Sequence, residues 1–318
     1  MIKGELDLSV IIISYNTRKL TLDCLESLYK ETMNLNFETI LVDNASEDDS
    51  VSAVKEEYPQ VRVIALKENI GFAKANNLAC ESACGRYLLL LNPDTVIINN
   101  AVENILVFAQ QNQEAGIWGG RTIFPDGSLN TTSCYGEMTP WSLFCRAFGL
   151  TVLFRDSSLF NSECFGSWQY DSVRHVSIVT GCFMLIKTSL WKQLEGFDPL
   201  FFMYGEEVDF CIRAKKLGYK PMFSPAAEII HYGGASEKSK MIRSEKVFRA
   251  KATIIRKNWS KRSVGFGIWM LLLWVASRAV IMKIISVVAP KKHTAQGEKW
   301  FHVWRKRKEW RKGFCHSY

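Results

Sequence analysis

Apolar positions alternate between two spacings from the start of the chain. Leu8–Ser14 (LSVIIIS) is a short run rich in β-branched residues that stops at Tyr15-Asn16-Thr17, and Leu20, Leu22, Cys24, Leu25 and Leu28 then follow at helical spacing. A second apolar run over 37–42 ends in Asp43-Asn44-Ala45-Ser46. Acidic Glu47-Asp48-Asp49 then opens a segment carrying Val51 and Val54, as suits a helix N-terminus. The third run, 61–66, stops at Glu68-Asn69, and residues 71–84 read as a helix with small Ala73, Ala75, Ala79 and Ala83. Four leucines over 88–91 are halted by Asn92-Pro93-Asp94, and a further helix is expected over 100–111. Strands alternating with helices in this way predict an α/β fold, a mostly parallel sheet with helices on both faces.

In such a sheet the strand ends gather at one edge, where ligands bind. The polar clusters Tyr15-Asn16, Asp43-Asn44, Glu68-Asn69, with Gly71 close behind, and Asn92 with Asp94 are therefore candidates for one site. Neither GxGxxG nor GxxxxGK[ST] occurs, so the usual backbone cradles for phosphate are missing. A divalent cation, Mn or Mg, is the natural substitute, and Asp94 and the amide of Asn92 can offer it oxygen. A turn capped by Asp94 is the plainer reading of the tripeptide alone. Farther on, 227–230 reads as a short strand ending at His231, whose imidazole is a competent ligand for Mn-like ions. Glu206, Glu207 and Asp209 open a helix that stops at Gly218. They suit the helix dipole, and one of them facing a cleft could serve as a general base.

Residues 176–186 read as one buried strand interrupted at Thr180-Gly181, and Pro125-Asp126-Gly127 as the turn of a hairpin over 122–131. Residues 138–165 hold many aromatic and aliphatic residues with Arg146 and Arg155 between them, either core or a partly exposed apolar flap.

The net charge of +8 conceals two opposed parts. From Arg249 onward there are 17 Lys and Arg against Glu298 and Glu309, whereas before it 23 Lys and Arg face 30 Asp and Glu. This asymmetry predicts an anionic partner for the tail. The tail also carries an apolar stretch over 264–289. Its uncharged part, 263–277, would span roughly 22 Å as a helix, short of a hydrocarbon core about 30 Å thick. Extension to 289 requires Arg278 and Lys283 to snorkel, so an in-plane or re-entrant helix is expected ahead of a full span. Arg305-Lys306-Arg307-Lys308 follow, with Trp300, Phe301, Trp304 and Trp310 interleaved, which favours an anionic membrane surface over nucleic acid. The nine cysteines form no CxxC, as in reduced cytosolic proteins. The acidic N-terminus, with Glu5 and Asp7, does not read as a signal peptide.

The motifs VIIISYN, ILVDNASEDDS, ENIGFAKANN, LLLLNPDT, TGCFMLIK, GFDPLFFMYGEEVDFCIRAKKLGY and IIHYGG, in this order over about residues 8–235, resemble glycosyltransferase family 2 and its bacterial rhamnosyltransferase-like branch. The resemblance implies a GT-A fold, a nucleotide-sugar donor, a divalent cation and inversion at the anomeric carbon. It implies that Asp43 binds the base, that Ser14, Tyr15 and Asn69 line its pocket, that Asn92 and Asp94 stand at the DxD-type element, and that His231 completes the metal site. The family's Glu-Asp-x-Asp element is here Glu206-Glu207-Val208-Asp209, so its usual aspartate is replaced by Glu207. That departure leaves the base open among Glu206, Glu207 and Asp209, and leaves room for a non-catalytic subunit that only binds nucleotide sugar. The expected organisation is a glycosyltransferase domain over 1–248, with a nucleotide-sugar half over about 8–120 and an acceptor and catalytic half over about 121–235. A membrane-associating region over 249–318 would hold it on the cytoplasmic face. The expected acceptor is a polysaccharide or lipid-linked oligosaccharide, and rhamnose from a dTDP-sugar is the donor the resemblance suggests.

Overall fold

The computed structural model describes residues 6–233, 239–288 and 290–314, without the side chains of 240, 286–288 and 290–294; Glu5, Gly234, Ala289 and Cys315 lie outside the described residues. In chain order the first elements are β1 (Leu8–Ser14), α1 (Arg18–Lys30), β2 (Phe37–Asp43), α2 (Ser50–Glu57), β3 (Arg62–Ala65), α3 (Phe72–Glu81), β4 (Tyr87–Leu91) and β5 (Thr95–Ile97). Then come α4 (Ala101–Gln111), β6 (Ile117–Ile123), β7 (Cys134–Tyr135), α5 (Pro140–Ala147), α6 (Leu150–Leu153), β8 (Arg174–His175), β9 (Ile178–Val179) and β10 (Phe183–Lys187). The last are α7 (Thr188–Gln193), α8 (Glu206–Lys216), β11 (Met222–His231), α9 (Lys240–Asn258), α10 (Lys261–Val288), α11 (Pro290–Arg305) and α12 (Arg307–Trp310). They fall into two compact units, one of Met1–Tyr135, Gln169–Phe202 and Glu206–Ser236, the other of Gly136–Trp168, Met203–Gly205 and Glu237–Tyr318.

The first unit is built on a mixed sheet in the order β3-β2-β1-β4-β10-β6-β11-β5, with β8 on β11. β1 to β4 are mutually parallel, β10 is antiparallel to β4 and β6, and β11 runs parallel to β6. Right-handed crossovers put α1 and α2 on one face as the chain steps outward from β1 to β3, and α3 on the other as it returns to β4. β1 and β4 are buried along their whole length, which is why both read as unbroken apolar runs. Trp118 of β6 is also fully buried and stacks edge-on against Tyr87 with ring centroids 5.8 Å apart.

Two of three expectations in this unit change. The run over 176–186 is two strands, because the chain turns at Thr180-Gly181 and β9 pairs with β7 in a separate small sheet. The hairpin over 122–131 forms, with Ile123 bridging Leu129 and the Phe124 and Asn130 amides donating to the Ser128 and Thr122 carbonyls, and β6 also pairs in parallel with β11. β11 itself begins at Met222, with a register shift between Ser224 and Glu228 that accommodates Pro225.

In the second unit α5 starts with a capping box between Thr139 and Ser142 and with Pro140 at its first position. Its Arg146 pairs with Glu163 at 3.0 Å and lies over the Trp274 ring of α10 at 5.3 Å. Ser277 of α10 donates to the Ala147 carbonyl at 3.2 Å, and Arg278 to the Arg146 carbonyl at 3.4 Å. Arg278 thus has one contact to the protein and remains half-buried. Two aromatics expected to face lipid do otherwise. Trp310 is fully buried, its indole donating to Val303, and both it and Trp300 pack on Phe248.

Burial alone would raise the Glu163 carboxyl, but the Arg146 and Lys251 charges hold it below the ordinary carboxylate range. The depressed pKa means its contribution is present above that range and is lost as pH falls through the folded-state value. Glu163→Gln, which strands Arg146, is expected to cost about 3 kcal/mol in denaturant unfolding at pH 7 and little at acid pH. The packing of α5 on α10 carries a second expectation. A chain cut after Asn258 loses the partner of Arg146 and Ala147, so limited proteolysis should cleave it within 137–168, where the full chain resists.

Candidate active site

The carboxyl ends of β1, β2, β4 and β11 and the amino end of β10 share one edge of the sheet, as their registers require. Asp43 ends β2 opposite Ser14 of β1 and is buried. Its Oδ1 accepts from the Ser46 amide at 2.8 Å, while its Oδ2 is buried without a hydrogen-bond partner. An acceptor left open in this way is a costly arrangement unless something donates to it. Asn44 donates its amide to the Ser14 carbonyl and accepts from Ile70 at 2.9 Å, so it ties the 66–71 loop to the strand ends. Asn69 accepts from the Gly71 amide at 3.0 Å. Gly71 has φ of +85°, and a Cβ there would stand 2.4 Å from the Phe202 carbonyl, so this crossing requires glycine. The Ser14 hydroxyl is taken up inside, against Thr17 and Thr21, while Tyr15 is exposed at the rim.

A second group forms around Asp94. Thr95 faces His231 in the β5–β11 pairing, and the Asp94 carbonyl accepts from the Tyr232 amide at 3.0 Å. This pairing, rather than either strand end alone, brings His231 Nε2 to 3.3 Å from Asp94 Oδ1. Neither imidazole nitrogen has a well-formed hydrogen bond, although both are buried. With no ion bound, burial disfavours the charged ring, but the neighbouring Cys182 sulfur and the Asp94 carboxylate outweigh it and raise His231 to about 10, so a divalent ion would have to displace the ring proton to bind there. Asn92 donates its amide to the Cys182 carbonyl and sits half-buried beside this pair. The residues fit a hard or borderline divalent ion. Two ligands at neighbouring corners of an octahedron with bonds of about 2.1 Å lie about 3 Å apart, close to the separation here. Among the described residues no three His, Cys, Asp or Glu side chains form a complete cage, so further ligands would come from a bound diphosphate and water.

The acidic start of α8 forms the third group. Asp209 is fully buried and paired with Arg213 at 2.7 Å, and the same guanidinium donates to the carbonyls of Leu194 and Gly196 at 2.6 and 2.7 Å. Asp209 therefore fastens α8 to the preceding turn. Glu206 is buried as well. Glu207 is half-buried and accepts from the Tyr135 hydroxyl at 3.4 Å, which leaves it the most accessible of the three. Tyr135, Cys182 and Arg213 are contributors that sequence reasoning missed. Only Arg213 had a legible signal, its i,i+4 spacing from Asp209.

Residues 9–191 match the family model described as glycosyl transferase family 2. The chain belongs to glycosyl transferase family 2. Within the family it is similar to the O-antigen biosynthesis protein RfbC of Myxococcus xanthus, 25% identical over 243 residues, which are 76% of this chain and 18% of that protein. It is also similar to the N-acetylglucosaminyl-diphospho-decaprenol L-rhamnosyltransferase of Mycobacterium tuberculosis strain H37Rv, 27% identical over 211 residues, covering 61% of this chain and 66% of the relative. The chain thus spans less than two thirds of these relatives' lengths. The mannosyltransferase PcManGT from Pyrobaculum calidifontis, solved in complex with GDP-Man and Mn2+, superposes with a TM-score of 0.58 at 16% identity, over 96% of this chain and 88% of the other. That likeness establishes the GT-A fold expected from the family motifs.

Proposed function

We propose that this family member is an inverting glycosyltransferase that moves a sugar, with rhamnose the first to test, from a nucleotide-diphosphate donor to a hydroxyl of a polysaccharide or lipid-linked acceptor. The observation that carries the reading is the gathering of three unlike groups in one unit: an open buried acceptor at Asp43, a carboxylate–imidazole pair at Asp94 and His231, and an accessible carboxylate at Glu207.

Each group has a role in such a transfer. Asp43 Oδ2 accepts a ring N–H of the nucleotide base, and Asn44, Asn69 and Gly71 shape the loop that receives it. Asp94 and His231 would hold a divalent cation of the Mn or Mg kind, which when bound would supply positive charge to offset that of the donor diphosphate. Glu207 takes the proton from the acceptor hydroxyl as its oxygen bonds to the anomeric carbon and the bond to the β-phosphate oxygen breaks. Attack opposite the departing diphosphate inverts that carbon, and no enzyme nucleophile is needed. Asp209 and Arg213 hold the helix that aims Glu207.

The work takes place on the cytoplasmic face of a membrane. α10 includes a stretch, Lys261–Ile285, whose most apolar 18 residues have a mean hydropathy of 1.9, long and apolar enough by length and composition to cross a bilayer. The surrounding basic residues suit an anionic leaflet. Mass spectrometry of a lipid-linked acceptor incubated with the full-length protein and a panel of nucleotide sugars tests this function. A gain of one sugar is expected with one donor. Stabilisation by a donor without any transfer would instead identify a binding subunit.

A further inference from the structure

We infer that the stretch over 148–159 in the second unit is a second lipid-contacting element, seated in an anionic bilayer beside α10. This rests on the reading that α10 lies in the membrane. Val152 and Leu153 are 68% and 73% exposed, and Phe148, Phe154 and Leu159 are each about half exposed or more. They are not scattered. The rings of Phe148, Phe144, Trp141, Phe160 and Phe154 form a continuous chain, with successive centroids 4.6, 5.5, 6.0 and 4.8 Å apart. An unbroken apolar patch of this kind marks a contact surface.

Its place in the fold selects the occupant. α6 is preceded by Gly149, where a Cβ would sit 3.8 Å from the Arg278 guanidinium of α10. Within the next two turns of α10, Val280, Ile281 and Ile284 are also exposed, at 59%, 42% and 59%. The apolar patch thus adjoins, through α5, the one helix long and apolar enough to cross a membrane among the described residues. Arg278 lies at this level and donates to the Arg146 carbonyl. Trp141 donates its indole N–H to the Leu159 carbonyl at 2.9 Å and leaves its ring 43% exposed, the habit of a tryptophan at the polar boundary of a bilayer. Charged Arg155 and Asp156, both largely exposed, pair with each other within the stretch at 3.7 Å.

The test is photo-cross-linking of the full-length chain in vesicles of phosphatidylglycerol and phosphatidylethanolamine, with p-benzoylphenylalanine placed at Leu153, at Ile284 of α10, or at Val107 of α4. All three positions are exposed, and none is in the candidate active site. Lipid adducts at Leu153 at least tenfold above those at Val107 are expected, together with adducts at Ile284. Adducts at Ile284 without adducts at Leu153 would overturn this inference and leave the membrane reading of α10 intact. Adducts at neither position would overturn both. Cross-links from Leu153 to a second copy of the chain would also overturn it and make the patch a protein interface.

Discussion

Glu207→Gln is expected to lower turnover by roughly 10²–10⁴-fold, the usual worth of a positioned general base, while leaving the donor KM and the melting temperature nearly unchanged. The substitution keeps the shape of a half-buried side chain and the acceptor oxygen that Tyr135 donates to, and removes only basicity. The comparison that gives the result its meaning is Asp209→Asn. Asp209 is fully buried against Arg213, so weakening that pair is expected to appear first as lost stability, up to about 3 kcal/mol, with activity falling because α8 is no longer held. Steady-state kinetics and denaturant unfolding on both variants separate the roles. Normal turnover in Glu207→Gln beside a stable but inactive Asp209→Asn would transfer the base to Asp209.

Asp94→Asn should reduce transfer by on the order of 10²–10³-fold, comparable to the loss of one group that stabilises charge in the transition state. The amide preserves the Asp94 carbonyl contact to Tyr232, and with it the β5–β11 pairing that places His231. What it removes is the negative charge that would share a cation with the imidazole 3.3 Å away. His231→Ala should be milder and should move the Mn2+ activation curve to higher concentration. Full activity of Asp94→Asn in excess chelator would remove the metal from the mechanism.

The sequence made the left half of the sheet plain, because β1, β2 and β4 are buried on both faces and their side chains need no alternation. The right half was obscure for local reasons. β6 is Ile-Trp-Gly-Gly-Arg-Thr-Ile, in which two glycines break the apolar run, and β11 carries Pro225 inside it. β5 is three residues long and exists only through its pairing with β11. The same distinction runs through the site. Asp43, Asp94 and His231 could be named from their positions at strand ends. Their partners could not, since the open Oδ2 of Asp43 and the nearness of His231 to Asp94 depend on contacts between residues far apart in the chain. The three acids of α8 were indistinguishable by type, and burial against Arg213 is what separates Asp209 from Glu207. In the tail, charge and hydropathy were legible, whereas the inward turn of Trp300 and Trp310 onto Phe248 depends on how α9, α11 and α12 pack.

The central claim is that this sheet edge transfers a sugar from a nucleotide donor, and the most direct measurement is the product released from that donor by the full-length protein. With donor, acceptor and Mn2+ together, nucleoside diphosphate should accumulate faster than without acceptor, should fall to background in chelator, and should be nearly abolished by Glu207→Gln. Release of pyrophosphate in its place, or nucleoside diphosphate release equally fast in wild type and Glu207→Gln, would contradict the account.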